Sequence, residues 1–212
     1  MDSMIDPYTD MEINYRAQIS ILEACRKYNP KIRIVFASTR QIYGKPEYLP
    51  VDERHPLRPV DANGINKLAG EQFHLLYNNN YDIRSTVLRL TNTIGPRMRI
   101  KDSRQTFVGT WINSAIQGKI YQVWGGSQMR DFTYVDDVVE AFLLAAIAED
   151  SIGKVINIGG LGSISLISLA EMLSSLANDC EFNVLQYPAE REKIDIGNYI
   201  ADYELAKNLL NW

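Results

Sequence analysis

The sequence is poor in the residues that build metal sites and disulfide frameworks. Its 212 residues include two cysteines, Cys25 and Cys180, and two histidines. The cysteines lie far apart in apolar segments, so neither a disulfide framework nor a zinc-binding pattern is indicated. The acidic pair Asp136 and Asp137 begins a predicted helix, where carboxylates cap the helix more often than they bind metal. We therefore expect no metal site and two reduced thiols.

Long apolar runs and clusters of basic residues are also absent. No run approaches the roughly 20 residues of a membrane-spanning helix, and the first residues have neither the basic nor the apolar segment of a signal peptide. The net charge is −4, and no stripe of Lys and Arg is present that could neutralise a nucleic-acid backbone. The sequence predicts a globular, cytoplasmic protein that binds neither membranes nor nucleic acid.

Helices and strands alternate in the first half of the chain. Apolar residues recur at helical spacing after Pro7, which predicts a helix that ends near Asn29. A continuous apolar run at 32–37 predicts a buried parallel strand, and a helix over 64–77 and a strand over 83–90 follow. This alternation is typical of a doubly wound parallel sheet.

The second half contains shorter units, which indicate a smaller lobe packed beside the sheet. The predicted units are helices near 106–117, 138–148 and 166–176, and strands at 121–124 and 155–158. Ligands of open α/β sheets bind at the carboxyl ends of the strands. We therefore expect binding residues in the turns after Ala37 and Leu90.

The chain has no glycine loop near its beginning. A dinucleotide-binding sheet normally opens with a strand, a glycine loop and a helix, whereas this chain opens with a helix and has no G-x-G-x-x-G or G-x-x-G-x-x-G before residue 30. The glycine-rich stretch at 159–162 follows a late strand, which favours a loop over a phosphate cradle. We expect the first strands and the glycine loop to be missing from this sequence.

Five segments carry polar residues at predicted strand ends and helix starts: Ser38 to Gly44, Pro50 to Glu53, Asn63 to Lys67 with Glu71 after it, Leu88 to Pro96, and Gly125 to Asp137. In this order, and continuing to Asp195 and Asp202, they resemble the extended short-chain dehydrogenase/reductase family. Its members include the NAD-dependent nucleotide-sugar epimerases, of the UDP-glucose 4-epimerase kind, and dehydratases. The resemblance covers nearly the whole chain.

The resemblance implies an α/β fold with a partial Rossmann-like doubly wound parallel sheet and a smaller α/β substrate lobe. Residues 1–96 would be the remainder of the dinucleotide-binding domain. Residues 97–212 would be mostly the substrate-binding lobe, with some elements returning to the main sheet. The family also implies a homodimer, formed through a four-helix bundle of the helices around residues 9–27 and 64–78.

The catalytic residues that the resemblance implies include one departure. In this family a tyrosinate removes the proton of the sugar hydroxyl while hydride passes to NAD, and a lysine four residues later lowers the pKa of that tyrosine. Lys67 matches the lysine, but Asn63 stands at the tyrosine position. Because a carboxamide cannot exchange a proton near neutral pH, the proton acceptor could be Lys67, Tyr43, or a water held by Asn63 and Thr39. The redox step could also be lost.

The resemblance further implies that Thr39 donates a hydrogen bond to the reacting sugar oxygen. Arg40 and Gln41 stand where the 4,6-dehydratases carry Asp and Glu as elimination acid and base. Neither residue can do that work, which favours epimerase chemistry over dehydratase chemistry.

The implied binding residues fall into two groups. The contacts to NAD would come from Asn14, Ser38, Lys67 and Leu90, and those to the substrate diphosphate from Asn92, Arg130 and Arg191, with Lys193 as an alternative to Arg191. An arginine fork suits two phosphate oxygens better than a lysine does.

The sequence thus predicts an NAD-dependent epimerase-like protein that oxidises C4 of a nucleoside-diphosphate sugar transiently, impaired in this shortened form. The alternatives are a non-catalytic nucleotide-sugar binding or assembly protein and a 4,6-dehydratase. We expect the 212-residue chain itself to bind NAD weakly or not at all.

Overall fold

A computed structural model of the chain describes residues 3–100, 106–177 and 180–212, apart from the side chain of Arg191. The helices are α1 (Pro7–Met11), α2 (Ala17–Tyr28), α3 (Ala62–Tyr81), α4 (Phe107–Ile116), α5 (Val135–Ile147), α6 (Leu166–Leu176), α7 (Ala189–Glu192) and α8 (Glu204–Leu210). The strands are β1 (Arg33–Thr39), β2 (Arg84–Leu90), β3 (Asn92–Ile94), β4 (Tyr121–Trp124), β5 (Met129–Arg130), β6 (Phe132–Tyr134), β7 (Val155–Ile158), β8 (Ile164–Ser165) and β9 (Phe182–Leu185).

The first helical segment runs without interruption from α1 to α2 through a π-helical turn at Glu12–Arg16. It begins where the sequence favours a start, because Asp6 accepts a hydrogen bond from the backbone N–H of Thr9 and Pro7 fills the first helical position. It ends at Asn29, as predicted. The π turn contains Asn14, and such turns are frequent at functional sites.

The central sheet has the strand order β1-β2-β7, and all its strands are parallel. Helix α3 joins β1 to β2 and packs on one face, whereas α5 and α8 pack on the other. The second face is buried by apolar side chains of strands and helices together, among them Leu88, Ile156 and Ile158 against Val138 and Ala206. This confirms the predicted doubly wound α/β fold.

Two units that the sequence grouped with the smaller lobe belong to this sheet. Strand β7 pairs with β2 along its whole length, and α5 packs against β1 and β2. A four-residue apolar strand looks the same in either lobe, so its partner could not be read from the sequence. The division at residue 96 stays a prediction.

A second group of elements lies around the parallel pair of β4 and β9, against which α4 and α6 pack. Its core contains Trp111, Tyr121, Val123, Leu166 and Ala170. Two short strand pairs, β3 with β6 and β5 with β8, join neighbouring segments. In the part of the chain that the structure describes, no helix is both long and apolar enough to span a bilayer.

Candidate functional site

The candidate site lies at the carboxyl edge of the central sheet. Thr39, Leu90 and Ile158 are in register across the three strands, so the turns that follow them lie side by side. Arg40, directly after β1, donates to the Oδ1 atom of Asn92 at 2.9 Å. The turns after β1 and β2, which the sequence singled out, therefore meet.

Lys67 reaches this edge from α3. The helix begins at Asp61, whose carboxylate accepts a hydrogen bond from the N–H of Gly64 at 2.6 Å. The Nζ atom of Lys67 donates to the carbonyl oxygen of Ala37 at 2.9 Å and lies 5.1 Å from the centre of the Phe36 ring. Burial lowers the pKa of Lys67, and the charge of Asp10 opposes this shift. The neutral amine is therefore more populated at a given pH than in a lysine exposed to water.

Asn63 and Asn66 share one carboxylate. The Nδ2 atom of Asn63 donates to Asp10 at 3.3 Å, and that of Asn66 donates to Asp10 at 2.8 Å. The tyrosine position of the family motif is thus occupied by Asn63, whose side-chain amide is hydrogen-bonded to the carboxylate of Asp10. The sequence reasoning missed Asp10, because it lies on α1, carries no motif and meets α3 only in the folded chain.

Tyr43 is not placed to act as a base. Its ring is fully buried, its hydroxyl donates to Asn157 at 2.7 Å, and it accepts from Arg89 at 2.7 Å. Burial raises the pKa of Tyr43 to about 12. The structure therefore argues against Tyr43 as the proton acceptor at neutral pH.

Thr39 caps the turn that follows β1. Its Oγ1 atom accepts from the backbone N–H of Gln41 at 3.3 Å, which leaves its own hydroxyl proton free to donate. The side chain of Gln41 donates to Asp61 at 2.8 Å. Thr39 can thus cap this turn and still donate to a substrate oxygen.

The residues predicted to contact the cofactor differ in the contacts that they make within the protein. The hydroxyl of the buried Ser38 donates to Glu71 at 2.9 Å, so this side chain is engaged within the protein. Leu90 ends β2 at the carboxyl edge. Asn14 lies in the π turn, where its carbonyl would stand 2.9 Å from a Cβ atom on Gly70 of α3. The two helices therefore pack closely at this point.

Arg130 is buried and its guanidinium is bonded to protein groups. It donates to the carbonyl oxygens of Met129 and Gly197 and forms an ion pair with Asp195 at 2.9 Å. The sequence expected this fork to face a diphosphate. In the structure it ties β5 to the segment around Asp195, because both stretches meet beside the sheet edge. The side chain of Arg191 lies outside the described residues.

The glycine-rich stretch after β7 is packed against protein. A Cβ atom on Gly159 would stand 2.7 Å from the Cβ of Ala201, and one on Gly160 would overlap the carbonyl oxygen of Phe132. These glycines permit close approach of the backbone, which supports the prediction of a loop rather than a phosphate cradle.

A cavity of about 510 Å³ lies beside Asp195. Polar and apolar residues line it, among them Lys45, Leu49, Gln128 and Asn198. Asp195 is also the ion-pair partner of Arg130, so it connects the cavity to Arg130.

Comparison with known proteins gives the family. The model of the NAD dependent epimerase/dehydratase family matches residues 1–159. A putative UDP-glucose 4-epimerase of Methanocaldococcus jannaschii is 39% identical over 160 residues, which are 74% of this chain and 51% of that protein. The chain therefore spans about half the length of this relative.

Solved structures agree in fold. The UDP-glucose 4-epimerase of Thermotoga maritima with UDP-glucose has a TM-score of 0.89 at 29% identity, covering 99% of this chain and 66% of that one. MoeE5 in complex with UDP-glucuronic acid and NAD has a TM-score of 0.83 at 28% identity, covering 95% and 66%. With a family model that matches most of its length, this chain belongs to the NAD-dependent epimerase/dehydratase family.

Proposed function

We propose that this chain supplies the substrate side of an NAD-dependent epimerase that inverts C4 of a nucleoside-diphosphate sugar. The observation that carries the proposal is the position of Lys67, whose half-buried ammonium is held at the carboxyl edge of β1 with a lowered pKa. The relative of known structure that contains UDP-glucose supports the choice of substrate class.

The residues present fit the nicotinamide half of NAD. Lys67 and the π turn that carries Asn14 lie on adjacent helices beside the end of β1. The cofactor, when bound, accepts a hydride and later returns it. Lys67 and Asn14 would be the residues that hold it.

The proton step is assigned to Lys67. In its neutral form the amine accepts the proton of the sugar O4 hydroxyl while the hydride leaves C4, and it returns the proton when the hydride comes back to the other face. Burial favours this form because it disfavours the charged ammonium. Thr39 donates to the same oxygen, and Asn92 contacts the diphosphate. Arg191 stays a predicted contact.

The alternative is a non-catalytic nucleotide-sugar binding protein. Its specific support is Asn63, whose amide is bonded to Asp10 and offers no exchangeable proton. A 4,6-dehydratase is disfavoured, because Arg40 and Gln41 are bonded to Asn92 and Asp61 and neither is an acid.

The test uses the full product of the natural gene, incubated with UDP-glucose and NAD in deuterium oxide. Proton NMR should show conversion to UDP-galactose without deuterium at C4, because the hydride returns from the cofactor rather than from solvent. Tight binding of UDP-glucose without turnover would instead establish the binding protein.

We also propose that the chain forms a homodimer through the helical surface of α1, α2 and α3. These helices pack on each other and still expose large apolar side chains, among them Ile13, Ile21, Tyr28, Ile65 and Leu76. Apolar surface of this kind on adjacent helices is typical of an interface.

Light scattering at micromolar concentration should therefore give the mass of a dimer. The double variant Ile13→Glu/Ile65→Glu should give a monomer, because both charges would be desolvated at the interface. The control Ile147→Glu, at an exposed position near the end of α5, should stay dimeric. A monomeric wild-type chain would contradict the proposed interface.

A further inference from the structure

Arg40 connects the ends of two neighbouring strands. It begins the short 3-10 turn Arg40–Tyr43 directly after Thr39, and its Nη2 atom donates to the Oδ1 atom of Asn92 at 2.9 Å. Its guanidinium carbon lies 5.3 Å from the centre of the Tyr199 ring. The side chain thus crosses from the carboxyl end of β1 to the start of β3.

This contact fixes the orientation of the Asn92 amide. A guanidinium only donates hydrogen bonds, so the oxygen of Asn92 must face Arg40 and the NH₂ group must face away. The Nδ2 atom of Asn92 and the Nη1 atom of Arg40 are both shielded from solvent and have no hydrogen-bond partner. Two donors are therefore left unused on a bonded pair of side chains.

A third unused atom lies nearby. Asp131 accepts from the N–H of Ala201 with Oδ2 at 2.9 Å, whereas its Oδ1 atom is shielded and has no partner. Buried polar atoms are nearly always hydrogen-bonded in folded proteins, so such exceptions need an explanation. The two unused donors, on Arg40 and Asn92, indicate a place for an acceptor oxygen of a ligand, whereas the Asp131 oxygen could only accept from a ligand hydroxyl.

The charge of Arg40 is also uncompensated by direct contact. The charged groups around it are Arg130, Asp131 and Asp195, and Arg130 is itself paired with Asp195. Burial, and then the charge of Arg130, lower the pKa of Arg40 to about 10, so it remains a cation at neutral pH. Burial raises the pKa of Asp131 to about 6, so this carboxylate is still mostly ionised at neutral pH and offsets part of the Arg40 charge without a direct bond. A buried cation without a bonded anion favours the binding of one.

We propose that Arg40 is a specificity-determining residue, which together with Asn92 binds an anionic oxygen of the nucleotide sugar. The oxygen belongs either to the diphosphate or to a carboxylate carried by the sugar. Arg40 is only half-buried as a residue, so part of its side chain is open to solvent. The inference rests on the proposed function for the ligand class, and it holds with or without catalysis.

The experiment measures affinity of the 212-residue chain by calorimetry for UDP-glucose, UDP-glucuronate and uridine. Arg40→Met should weaken binding of the anionic ligands at least about tenfold and leave uridine unchanged. If the diphosphate is the anion, both UDP sugars lose affinity equally; if the sugar carboxylate is, UDP-glucuronate loses more. Arg54→Met, at an exposed arginine bonded to Asp52, is the matched control.

Asn92→Asp gives a second, independent readout. A carboxylate at this position would pair with the Arg40 cation, so the melting temperature should rise, whereas anion binding should fall at least about tenfold. A merely structural role for the pair would raise stability without loss of affinity. This variant also keeps the inference testable if Arg40→Met does not fold.

The inference is overturned if Arg40→Met and Asn92→Asp bind both UDP sugars within about twofold of the wild-type chain. If the wild-type chain binds none of the three ligands, the proposed function fails for this chain and the inference fails with it. Binding that is indifferent to Arg40 contradicts the inference alone, so the two failures are distinguishable.

Discussion

Replacing Lys67 with methionine in the full gene product should lower kcat for epimerisation by about 10²- to 10⁴-fold, the usual contribution of general acid–base catalysis. Methionine keeps an unbranched apolar side chain but removes the amine that donates to the Ala37 carbonyl and lies over the Phe36 ring. Lys154→Met, at an exposed lysine, should leave kcat unchanged. Steady-state kinetics with UDP-glucose provide the measurement.

A loss of less than about threefold would show that Lys67 has no part in the chemistry. The companion variant Asn63→Tyr distinguishes two cases: another group has replaced tyrosine as the proton acceptor, or the protein has no proton acceptor. Tyrosine would restore the usual proton acceptor of the family and give up the amide contact to Asp10, so turnover should hold or rise. A wild-type protein without turnover that gains it with Asn63→Tyr would indicate that the redox step was lost at this residue.

The second large effect concerns stability. Glu71 and Arg89 form a buried ion pair beneath the sheet edge, with Ser38 and Tyr43 bonded to it. Removal of one partner of such a pair typically costs about 3–5 kcal/mol, because the remaining charge stays buried and unpaired. Glu71→Ala should therefore lower the free energy of unfolding by about 3–5 kcal/mol in urea denaturation.

The matched comparison is an exposed ion pair on α8. Glu204 pairs with Lys207 one turn away, and both side chains are largely in solvent. Glu204→Gln should change the free energy of unfolding by less than about 1 kcal/mol. If Glu71→Ala were as mild as this control, the buried network would have no stabilising role.

The long elements could be predicted from the sequence because their patterns are long enough to read. The helix that became α3 has sustained helical periodicity, β1 contains the apolar run 34–37, and β2 contains the mostly apolar segment 87–90. The strands β3, β5, β6 and β8 were missed, since segments of two or three residues have no period. Strand β9 was also missed, although β4 and β7, which have the same length of four residues, were predicted. The pairing of β7 was missed because pairing depends on tertiary packing and leaves no local signal.

The candidate site likewise contains residues that could be predicted from the sequence and contacts that could not. The family resemblance led to Thr39, Lys67 and Asn92, and the structure brings the end of β1, helix α3 and the start of β3 that carry them to one edge of the sheet. Spacing could not reveal that the Arg130 fork is bonded to Asp195 and two carbonyls, or that Asp10 meets Asn63. Both facts depend on which side chains meet across distant parts of the chain.

The π turn at Glu12–Arg16 adjusts the angular phase of the first helical segment. Asp10 precedes the turn and contacts Asn63 on α3, and Gln18 follows it and contacts His74 on the same helix. In a regular α-helix, eight residues would place these side chains about 80° apart around the axis. One extra residue in the turn reduces the offset to about 20°. Deletion of a single residue there would leave seven steps of regular α-helix, which also give an offset of about 20°. We therefore expect the shortened helix to keep the contact between Asp10 and Asn63 and to lose only the π turn.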